Sequence, residues 1–293
     1  METILRTMTF VPGFRDKFLD KAINFKTDAL ILDLEDSVPE IYKEDARAKV
    51  QQYLNKGVYT QKIFIRVNSI DSGLLNLDLG KILHESVYGL MPTMIRDEYD
   101  IVYIDKLLTQ LERDGGFTYG YFKLCPLIET VSALINAYKI AKSSKRIVGL
   151  AFGAEDYVTD LGGLHKESGS SILMARSMTV MAARSLDLSV LDTPYLNVSD
   201  LAGFKREAEF SREMGFTGQL VLHPDQIDIA MKIFTPSPAE VNEAQEIIRK
   251  IESSSEKGSG VTLLDGKIVG PPMEKRARAV LKKWALIQEI QSQ

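Results

Sequence analysis

Acidic side chains and one arginine stand directly after several short apolar runs of the sequence. They are Glu35 and Asp36, Arg66, Glu129 and Asp156. Carboxylates that crowd together repel one another unless a cation offsets their charge. Two carboxylates, together with waters and substrate oxygens, suit Mg²⁺, and an arginine nearby binds a substrate carboxylate through its planar guanidinium. The pattern therefore predicts a Mg²⁺ site that also takes an organic acid.

The apolar runs that carry these residues are short and lack polar alternation, which is typical of strands buried on both faces of a parallel sheet. The predicted strands are 8–11, 29–34, 62–67, 88–91, 123–128, 147–152, 188–191 and 218–222. Helix-like segments, such as 15–24, 131–141 and 173–185, lie between them. About eight βα units in succession predict an α/β fold, namely a TIM (β/α)8 barrel.

A barrel would bring the polar residues at the strand ends to one rim. The active sites of TIM barrels lie at the carboxyl ends of the strands. Arg66, Glu129 and Asp156 follow three different predicted strands, so we expect them to be neighbours. For any one of them a structural or merely solvated role is the alternative, because polar residues are common where strands end.

The pattern of βα units stops near residue 230, which predicts a barrel domain over 1–230 and a C-terminal extension over 231–293. In the extension, Ser237 is a predicted N-cap with Pro238 at the first helical position. A polar linker is predicted over 253–260, and Asp265-Gly266 predicts a hairpin. A final amphipathic helix is expected over 273–290, so the extension reads as a helical and hairpin lid or an oligomerisation arm.

Composition excludes several classes of function. The chain has 293 residues, 45% of them hydrophobic, a formal net charge of −4 and 36 Lys and Arg without a basic tail, which argues against nucleic-acid binding. No apolar run reaches the roughly 18 residues of a membrane span, and no signal peptide is evident, so we expect a cytoplasmic protein. With Cys125 as the one cysteine and three His, neither a disulfide nor a zinc site is expected.

A series of short motifs gives the sequence a family resemblance. In chain order they are Arg6-Thr-Met-Thr-Phe-Val-Pro-Gly13, Asp33-Leu-Glu-Asp-Ser-Val38, Arg66-Val-Asn68, Pro126-Leu-Ile-Glu-Thr130, Gly153-Ala-Glu-Asp156, Gly215-Phe-Thr-Gly218 and His223-Pro-Asp-Gln226. Each motif alone is weak, but together, in this order, they are very specific. The sequence resembles the citrate lyase β-subunit (CitE-like) proteins of the HpcH/HpaI aldolase family, which are related to malyl-CoA and citramalyl-CoA lyases.

The resemblance implies a Mg²⁺-dependent carbon–carbon lyase. Such an enzyme cleaves or condenses a 3-hydroxyacyl thioester, such as citryl-, malyl- or citramalyl-CoA, to an acyl thioester and a 2-keto acid. The family also suggests a homotrimer. The roles implied for this chain are Glu129 and Asp156 as metal ligands, Arg66 and Glu129 at the substrate with Arg66 on the keto-acid carboxylate, and Arg15 and Lys17 near the CoA phosphates. The catalytic residues are expected to be Arg66, Glu35 and Asp36, of which the two acidic residues line the metal site through water.

Two positions depart from the family pattern. Gly270 stands where the CoA lyases carry an aspartate that reaches a neighbouring subunit's active site, and Thr93 stands where the fourth strand normally ends in Pro-Lys. Losing an acid/base group typically lowers the rate by about 10²–10⁴-fold. Two alternatives to a CoA lyase therefore stay open, a Mg²⁺-dependent aldolase with a non-CoA acceptor and a catalytically reduced subunit of a complex.

Overall fold

A computed structural model describes residues 3–166, 168–255, 260–264 and 266–292, with side chains up to Ile290. Within these residues, nine parallel strands form one sheet in the order β5-β4-β3-β2-β1-β9-β8-β7-β6. The strands are β1 Thr7–Pro12, β2 Ala29–Asp33, β3 Lys62–Val67, β4 Val87–Pro92, β5 Lys123–Leu124, β6 Leu127–Ile128, β7 Gly149–Phe152, β8 Ser189–Asp192 and β9 Gly218–Val221. The predicted α/β class is confirmed, and each predicted strand is present within a few residues of its expected bounds.

The two outer strands in this order, β5 and β6, are consecutive pieces of the chain. The predicted single strand 123–128 is interrupted because Cys125 and Pro126 bond to opposite neighbours. The N–H of Cys125 donates to Leu90 O at 2.9 Å, whereas Pro126 O accepts from the N–H of Ala151 at 3.1 Å. β5 accordingly pairs with β4, and β6 pairs with β7. The sheet curls, as is consistent with a TIM-like barrel.

One face of the sheet packs into an apolar core to which every strand or its flank contributes. The core residues are Leu5, Met8, Ala29, Ile31, Phe64, Met91, Cys125, Leu127, Ala151, Leu191 and Leu220. Full burial of a side chain such as Leu or Phe contributes about 1.5–3 kcal/mol, so this cluster is a major source of stability. Burial also raises the pKa of the Cys125 thiol to about 12, because the thiolate would be desolvated there.

Helices follow the strands. They are α1 Asp16–Ala22, α2 Lys43–Lys56, α3 Leu75–Ile82, α4 Glu98–Asp114, α5 Val131–Ile135, α6 Ala137–Lys142, α7 Ala154–Leu161, α8 Leu173–Arg184, α9 Leu201–Met214 and α10 Pro224–Phe234. The single helix expected over 131–141 is divided at Asn136, whose side-chain amide donates to Ser132 O and Arg96 O. Among the helices that the structure describes, none has both the length and the apolar character that crossing a bilayer requires.

The chain divides into two compact units, Met1–Met231 and Lys232–Gln293. In the second unit, α11 (Pro238–Ser255) packs on α12 (Pro271–Ser292), and a hairpin pairs β10 (Thr262–Leu264) with β11 (Lys267–Val269). A cluster of buried apolar residues forms its core, namely Ala244, Ile247, Ile251, Val269 and Ala277. Ser237 caps α11 as expected, because its hydroxyl accepts the N–H of Glu240. Asp265 and residues 256–259 of the predicted linker lie outside the described residues.

Candidate active site

A cavity of about 370 Å³ lies at the carboxyl ends of the strands in the first unit. Its wall includes Asp36, Arg66, Glu129 and Asp156, four of the residues that the sequence singled out. The other lining residues are Phe10, Pro12, Asp33, Ser37, Leu127, Gly153, Ala154, Glu155, Thr193, Pro194, Leu196, Leu220 and Leu222. Strand-end residues distant in sequence thus share one polar patch in an otherwise largely apolar cavity, as is typical of small-molecule sites.

Arg66 is held by three carboxylates at once. It lies on β3 directly opposite Asp33 of β2, and its Nε and Nη2 donate to the two oxygens of Asp33 at 2.7 and 2.6 Å. Nη1 lies 3.2 Å from Glu35 and 3.0 Å from Asp36. Arg66 is 9% exposed, and burial alone would lower its pKa, but the carboxylates raise it. The guanidinium is therefore a fixed charge in the cavity wall.

Asp33 is the residue that orients Arg66, and the sequence interpretation gave it no role. Although burial favours the neutral carboxyl, the charge and hydrogen bonds of Arg66 lower its pKa. The carboxylate also accepts the N–H groups of Glu35 at 2.9 Å and Ser37 at 3.2 Å. Asp33 thus shapes the loop after β2. The one indication of this role in the sequence is that Asp33 and Arg66 both stand near the ends of predicted strands. Neighbouring parallel strands that end at the same level place the two residues side by side.

Glu129 follows β6 and, like Asp33, is a deeply buried carboxylate of the cavity, with 3% exposure. Its Oε1 accepts the backbone N–H of Met94 at 2.7 Å. Burial raises the pKa of Glu129 to about 8, with a further increase from the charge of Asp156, while the Met94 N–H and Arg66 oppose the shift. A buried carboxylate beside another carboxylate is destabilised as an anion unless a cation joins it.

Gly153 makes room for the Glu129 carboxylate. A Cβ placed on Gly153 would lie 2.7 Å from both Cβ and Oε2 of Glu129, closer than any ordinary contact. No side chain therefore fits at this position while Glu129 keeps its orientation. The sequence interpretation matched Gly153 to a motif but assigned it no function, because close approach between residues of two strands is invisible before the strands are aligned.

Asp156 lies in the first turn of α7, directly after the end of β7, and its side chain is exposed to the cavity. Partial burial raises its pKa, the charges of Asp36 and Glu155 raise it further, and Arg66 partly offsets them. The neighbouring Glu155 also lines the cavity and shares a hydrogen bond of 2.5 Å with His165 Nδ1. The carboxylates at this end of the cavity thus repel one another.

The loop carrying Glu35 and Asp36 is braced from below by Lys43 of α2. The ammonium group of Lys43 donates to Leu34 O at 2.9 Å, to Glu35 O at 2.8 Å and to Asn68 Oδ1 at 2.7 Å. Glu35 has its pKa raised to about 7 by burial and by the charge of Asp36, against the opposing effect of Arg66. The Asp36 side chain is largely exposed, although its carboxylate contacts Arg66.

Arg15 and Lys17, the expected phosphate contacts, are exposed at the start of α1 and are not part of the cavity wall. The guanidinium of Arg15 lies over the ring of Phe14, 4.9 Å from its centroid. The turn that carries them is close to β2, since Gly13 N–H donates to Asp33 O at 2.9 Å and a Cβ on Gly13 would lie 2.6 Å from that oxygen.

The two positions that depart from the family pattern lie in different units. Thr93 is buried after β4, and its hydroxyl donates to Val67 O at 3.1 Å, so it links the ends of β3 and β4. Gly270 lies in the second unit between β11 and α12, where a Cβ would meet Val261 Cγ1 at 3.2 Å. Thr93 thus has a structural contact in place of the amine that a lysine would supply.

The donor set fits a hard divalent cation. Across the described residues, no three or more His, Cys, Asp or Glu are grouped to hold a metal. Mg²⁺, however, keeps several waters and needs only one or two carboxylates. Glu129 and Asp156 line the same cavity, and repulsion among its carboxylates contributes to the raised pKa of each. The chemistry of these oxygens suits Mg²⁺.

Comparison of the sequence with known proteins identifies its family. The family described as HpcH/HpaI aldolase/citrate lyase matches residues 6–224. The citrate lyase subunit beta of Leuconostoc mesenteroides subsp. cremoris is 32% identical over 282 residues, which cover 96% of this chain and 93% of the relative. The mitochondrial citramalyl-CoA lyase of Rattus norvegicus is 30% identical over 296 residues, which cover 97% and 87%.

A solved structure has the same fold. The protein CitE from Mycobacterium tuberculosis, in complex with magnesium, acetoacetate and coenzyme A, matches with a TM-score of 0.77 and 23% identity over 97% of this chain and 100% of that chain. The family match and the sequence relatives both extend over most of the sequence, so the predicted family is confirmed. The chain belongs to the HpcH/HpaI aldolase/citrate lyase family and is a carbon–carbon lyase.

Proposed function

We propose that the protein is a Mg²⁺-dependent lyase for a 3-hydroxyacyl thioester of the citryl-, malyl- or citramalyl-CoA class. It cleaves the substrate to an acyl thioester and a 2-keto acid, or condenses the two. The observation that carries the proposal is the buried Glu129 in one cavity with Asp156 and Arg66. The names of the relatives and the magnesium and coenzyme A in the Mycobacterium tuberculosis structure support it.

Glu129 and Asp156 are the proposed ligands of the ion. When bound, Mg²⁺ polarises the substrate oxygens and stabilises the negative charge that develops as the carbon–carbon bond breaks. The carboxylates supply the negative charge that retains the ion, and residues such as Phe10 and Leu220 form an apolar wall in the same cavity. Apolar surroundings lower the local dielectric constant and strengthen the electrostatic interactions of the buried Glu129.

Arg66 is the proposed ligand for the keto-acid carboxylate. Two of its nitrogens are occupied by the buried Asp33, but Nη1 faces Glu35 and Asp36, and the Asp36 side chain is 61% exposed. An exposed carboxylate exchanges with a substrate carboxylate at little energetic cost. The substrate therefore takes the place of Asp36 on Nη1, while Asp33 keeps the guanidinium oriented. This orientation aligns the bond to be broken.

Glu35 and Asp36 are the proposed acid/base groups of the reaction. The pKa of Glu35 is raised to about 7, so the carboxyl group both holds and releases a proton near neutral pH. Asp36, in the same loop, has a side chain that is 61% exposed. Water between these carboxylates and the substrate completes the path for the proton.

The remaining features of the proposal concern the whole enzyme. The curled sheet closes into a (β/α)8 barrel through β5 and β6, and residues 231–293 form a lid or an oligomerisation arm of a cytoplasmic homotrimer. Arg15 and Lys17, exposed beside the end of β2, contact the phosphates of coenzyme A or of an acyl-carrier arm. Gly270 favours one second candidate, a Mg²⁺-dependent aldolase with a non-CoA acceptor, because the position lacks a carboxylate.

The experiment that tests the proposal combines binding and turnover. Titration calorimetry with Mg²⁺ should detect binding to the protein and none to Glu129→Gln/Asp156→Asn. The control is Asp16→Asn/Glu44→Gln, which changes two exposed carboxylates outside the cavity. Citryl-, malyl- and citramalyl-CoA are then offered with Mg²⁺, and released keto acid is measured.

Release of keto acid from one of the thioesters is the expected result. Mg²⁺-dependent binding of pyruvate or oxaloacetate without turnover of any thioester would favour the aldolase with a non-CoA acceptor. Unchanged Mg²⁺ affinity in the Glu129→Gln/Asp156→Asn variant would overturn the metal site itself.

A further inference from the structure

The backbone at Met94, between β4 and α4, has an unusual conformation beside the candidate metal site. Its φ is +52°, in the left-handed region, and among the non-glycine residues that the structure describes only Asp187 shares a positive φ. For an L-residue this conformation costs roughly 1–2 kcal/mol. Strain of this kind persists only where the surroundings enforce it, and it clusters at functional sites. The side chain of Met94 is 46% exposed, so burial of the side chain does not explain the conformation.

Hydrogen bonds to two neighbouring parts of the chain hold the segment around Met94 in place. On one side, Thr93 donates its hydroxyl to Val67 O at 3.1 Å. On the other side, Ile95 O accepts the hydroxyl of Thr130 at 2.9 Å, and Thr130 is the residue after Glu129. The residues that flank Met94 are thus tied to the end of β3 and to the segment that carries Glu129. With both flanking residues held by these hydrogen bonds, the backbone N–H of Met94 is directed at the Glu129 carboxylate.

The Glu129 carboxylate is consequently held through one of its two oxygens. Oε1 accepts the Met94 N–H at 2.7 Å, and Oε2 lies on the side of Gly153, where a Cβ would come within 2.7 Å of it. Gly153 lines the cavity together with Asp156. One oxygen is therefore engaged by the backbone, and the other is on the side of the glycine that borders the cavity.

We propose that the backbone N–H of Met94 is the positioning group of the metal site, holding Glu129 so that Oε2 is the oxygen offered to the divalent cation. This inference rests on the proposed function, because it assumes that Glu129 binds Mg²⁺. The left-handed conformation is what directs the N–H at the carboxylate, and the side chain at position 94 has no part in it. The position consequently tolerates any residue that keeps the N–H and the conformation.

A backbone ester at position 94 tests the proposal directly. Incorporating the α-hydroxy analogue of methionine replaces the N–H by an oxygen and leaves the side chain unchanged. Hydrogen bonds to charged groups are among the stronger ones, so Mg²⁺ affinity measured by titration calorimetry should fall by about 10- to 100-fold. Met94→Ala keeps the N–H, so its Mg²⁺ affinity should fall far less than that of the ester.

The matched control is a backbone ester of the same kind at Tyr99, five residues along the chain. The Tyr99 N–H donates to the carboxylate of Asp97 at 2.9 Å on the surface, so this ester also removes a bond to a charged acceptor but leaves Glu129 and the ties of the Met94 segment untouched. Its Mg²⁺ affinity should be unchanged. Circular dichroism of both esters reports whether they fold.

An independent measurement covers the case in which the ester at position 94 does not fold. In protein labelled with ¹⁵N-methionine, the Met94 amide is identified by its loss in Met94→Ala. It should be protected from hydrogen exchange and should shift when Mg²⁺ is added. Rapid exchange, no shift, or an ester that binds Mg²⁺ as tightly as the unmodified protein would each overturn the role of Met94. The unmodified protein failing to bind Mg²⁺ would instead overturn the metal site and this role together.

Discussion

At the scale of single residues, the candidate site depends on a carboxylate placed where its charge is unfavourable. Glu129 is buried, and burial together with Asp156 raises its pKa to about 8. Uncompensated charges of this kind are common at functional sites because a ligand supplies the missing opposite charge. Without a cation, the charged Glu129 should therefore lower the free energy of unfolding of the protein. The size of this loss should depend on pH.

The first prediction is a pH-dependent gain in stability when Glu129 is made neutral. The pKa of Glu129 is about 8 in the folded chain against 4.5 for an ordinary glutamate. The stability linked to this group is thus fully present below about pH 4.5 and lost as the pH rises to about 8. With EDTA present, Glu129→Gln should become more stable than the unmodified protein across this window, by on the order of a few kcal/mol at the upper end.

Urea denaturation at intervals between pH 5 and pH 9 measures the difference. Asp16→Asn is the control, since Asp16 is an exposed carboxylate outside the cavity. If the free energies of unfolding of Glu129→Gln and the unmodified protein differed by the same amount at every pH, this carboxyl would not be buried without a compensating charge.

The second prediction concerns Gly153. In Gly153→Ala the new methyl group collides with Glu129, so the carboxylate must turn away or the backbone must shift. We expect a loss of stability of about 1–3 kcal/mol and a clear loss of Mg²⁺ affinity by titration calorimetry. The control is Gly80→Ala within α3, where a Cβ meets nothing within 4 Å and should stabilise the helix by about 0.5–1 kcal/mol. Normal Mg²⁺ binding by Gly153→Ala would show that a methyl group at position 153 does not displace the Glu129 carboxylate.

Sequence alone identified the side chains at the site better than the contacts that orient them. Arg66, Glu129 and Asp156 were predicted to be neighbours because parallel strands that end at one rim bring their following residues together. Asp33, Met94 and Gly153 were not assigned roles. Asp33 depends on the register between β2 and β3, Met94 acts through a backbone N–H, and Gly153 acts through the absence of a side chain. All three roles depend on which parts of the chain lie next to one another, and the sequence does not show this before the strands are aligned.

At the scale of elements, α2 supports the acidic loop that follows β2. Lys43, in the first turn of α2, is buried beneath the loop and donates to the backbone oxygens of Leu34 and Glu35. Buried carbonyl groups need such partners, and an ammonium group satisfies several of them at once. Helix and loop are thus joined by one side chain, which determines where Glu35 and Asp36 stand.

The third prediction compares two lysines of α2. Lys43→Met leaves buried acceptors without donors, and it should lower the free energy of unfolding by about 3 kcal/mol. Lys49→Met removes only an ion pair with the exposed Asp16, and surface pairs of this kind contribute little. Urea denaturation at pH 7 measures both. Equal effects of the two substitutions would show that Lys43 does not brace the loop.

The strands were predicted well because buried apolar runs are visible in the sequence, whereas interruptions inside elements were not. The strand expected over 123–128 is divided at Cys125 and Pro126, since hydrogen bonds there change from one neighbouring strand to the other. The helix expected over 131–141 is divided at Asn136, which donates to the carbonyl of Arg96, far away in the sequence. Both interruptions depend on tertiary partners, so local pattern does not reveal them.

At the scale of the whole molecule, a bound cation should stabilise the fold, because it joins carboxylates from separate parts of the first unit. The fourth prediction is that saturating Mg²⁺ raises the melting temperature. A ligand at about 100 times its Kd adds roughly 2.7 kcal/mol, which corresponds to a shift of several degrees for a chain of this size. Differential scanning fluorimetry, with KCl at equal ionic strength as the control, measures the shift. The increase should disappear in Glu129→Gln/Asp156→Asn, and an equal increase in that variant would point to binding elsewhere.

Because of its position, Cys125 can be used to measure how readily the sheet opens in the unmodified protein. It is the one cysteine of the sequence, it is buried in the core of the sheet, and its thiol has a pKa of about 12. A thiol reacts as the thiolate and only where a reagent reaches it, so modification by Ellman's reagent in native buffer requires the sheet to open. The rate of colour release then follows the free energy of that opening. A cysteine added at an exposed position, such as Met174→Cys, would be labelled without first replacing Cys125.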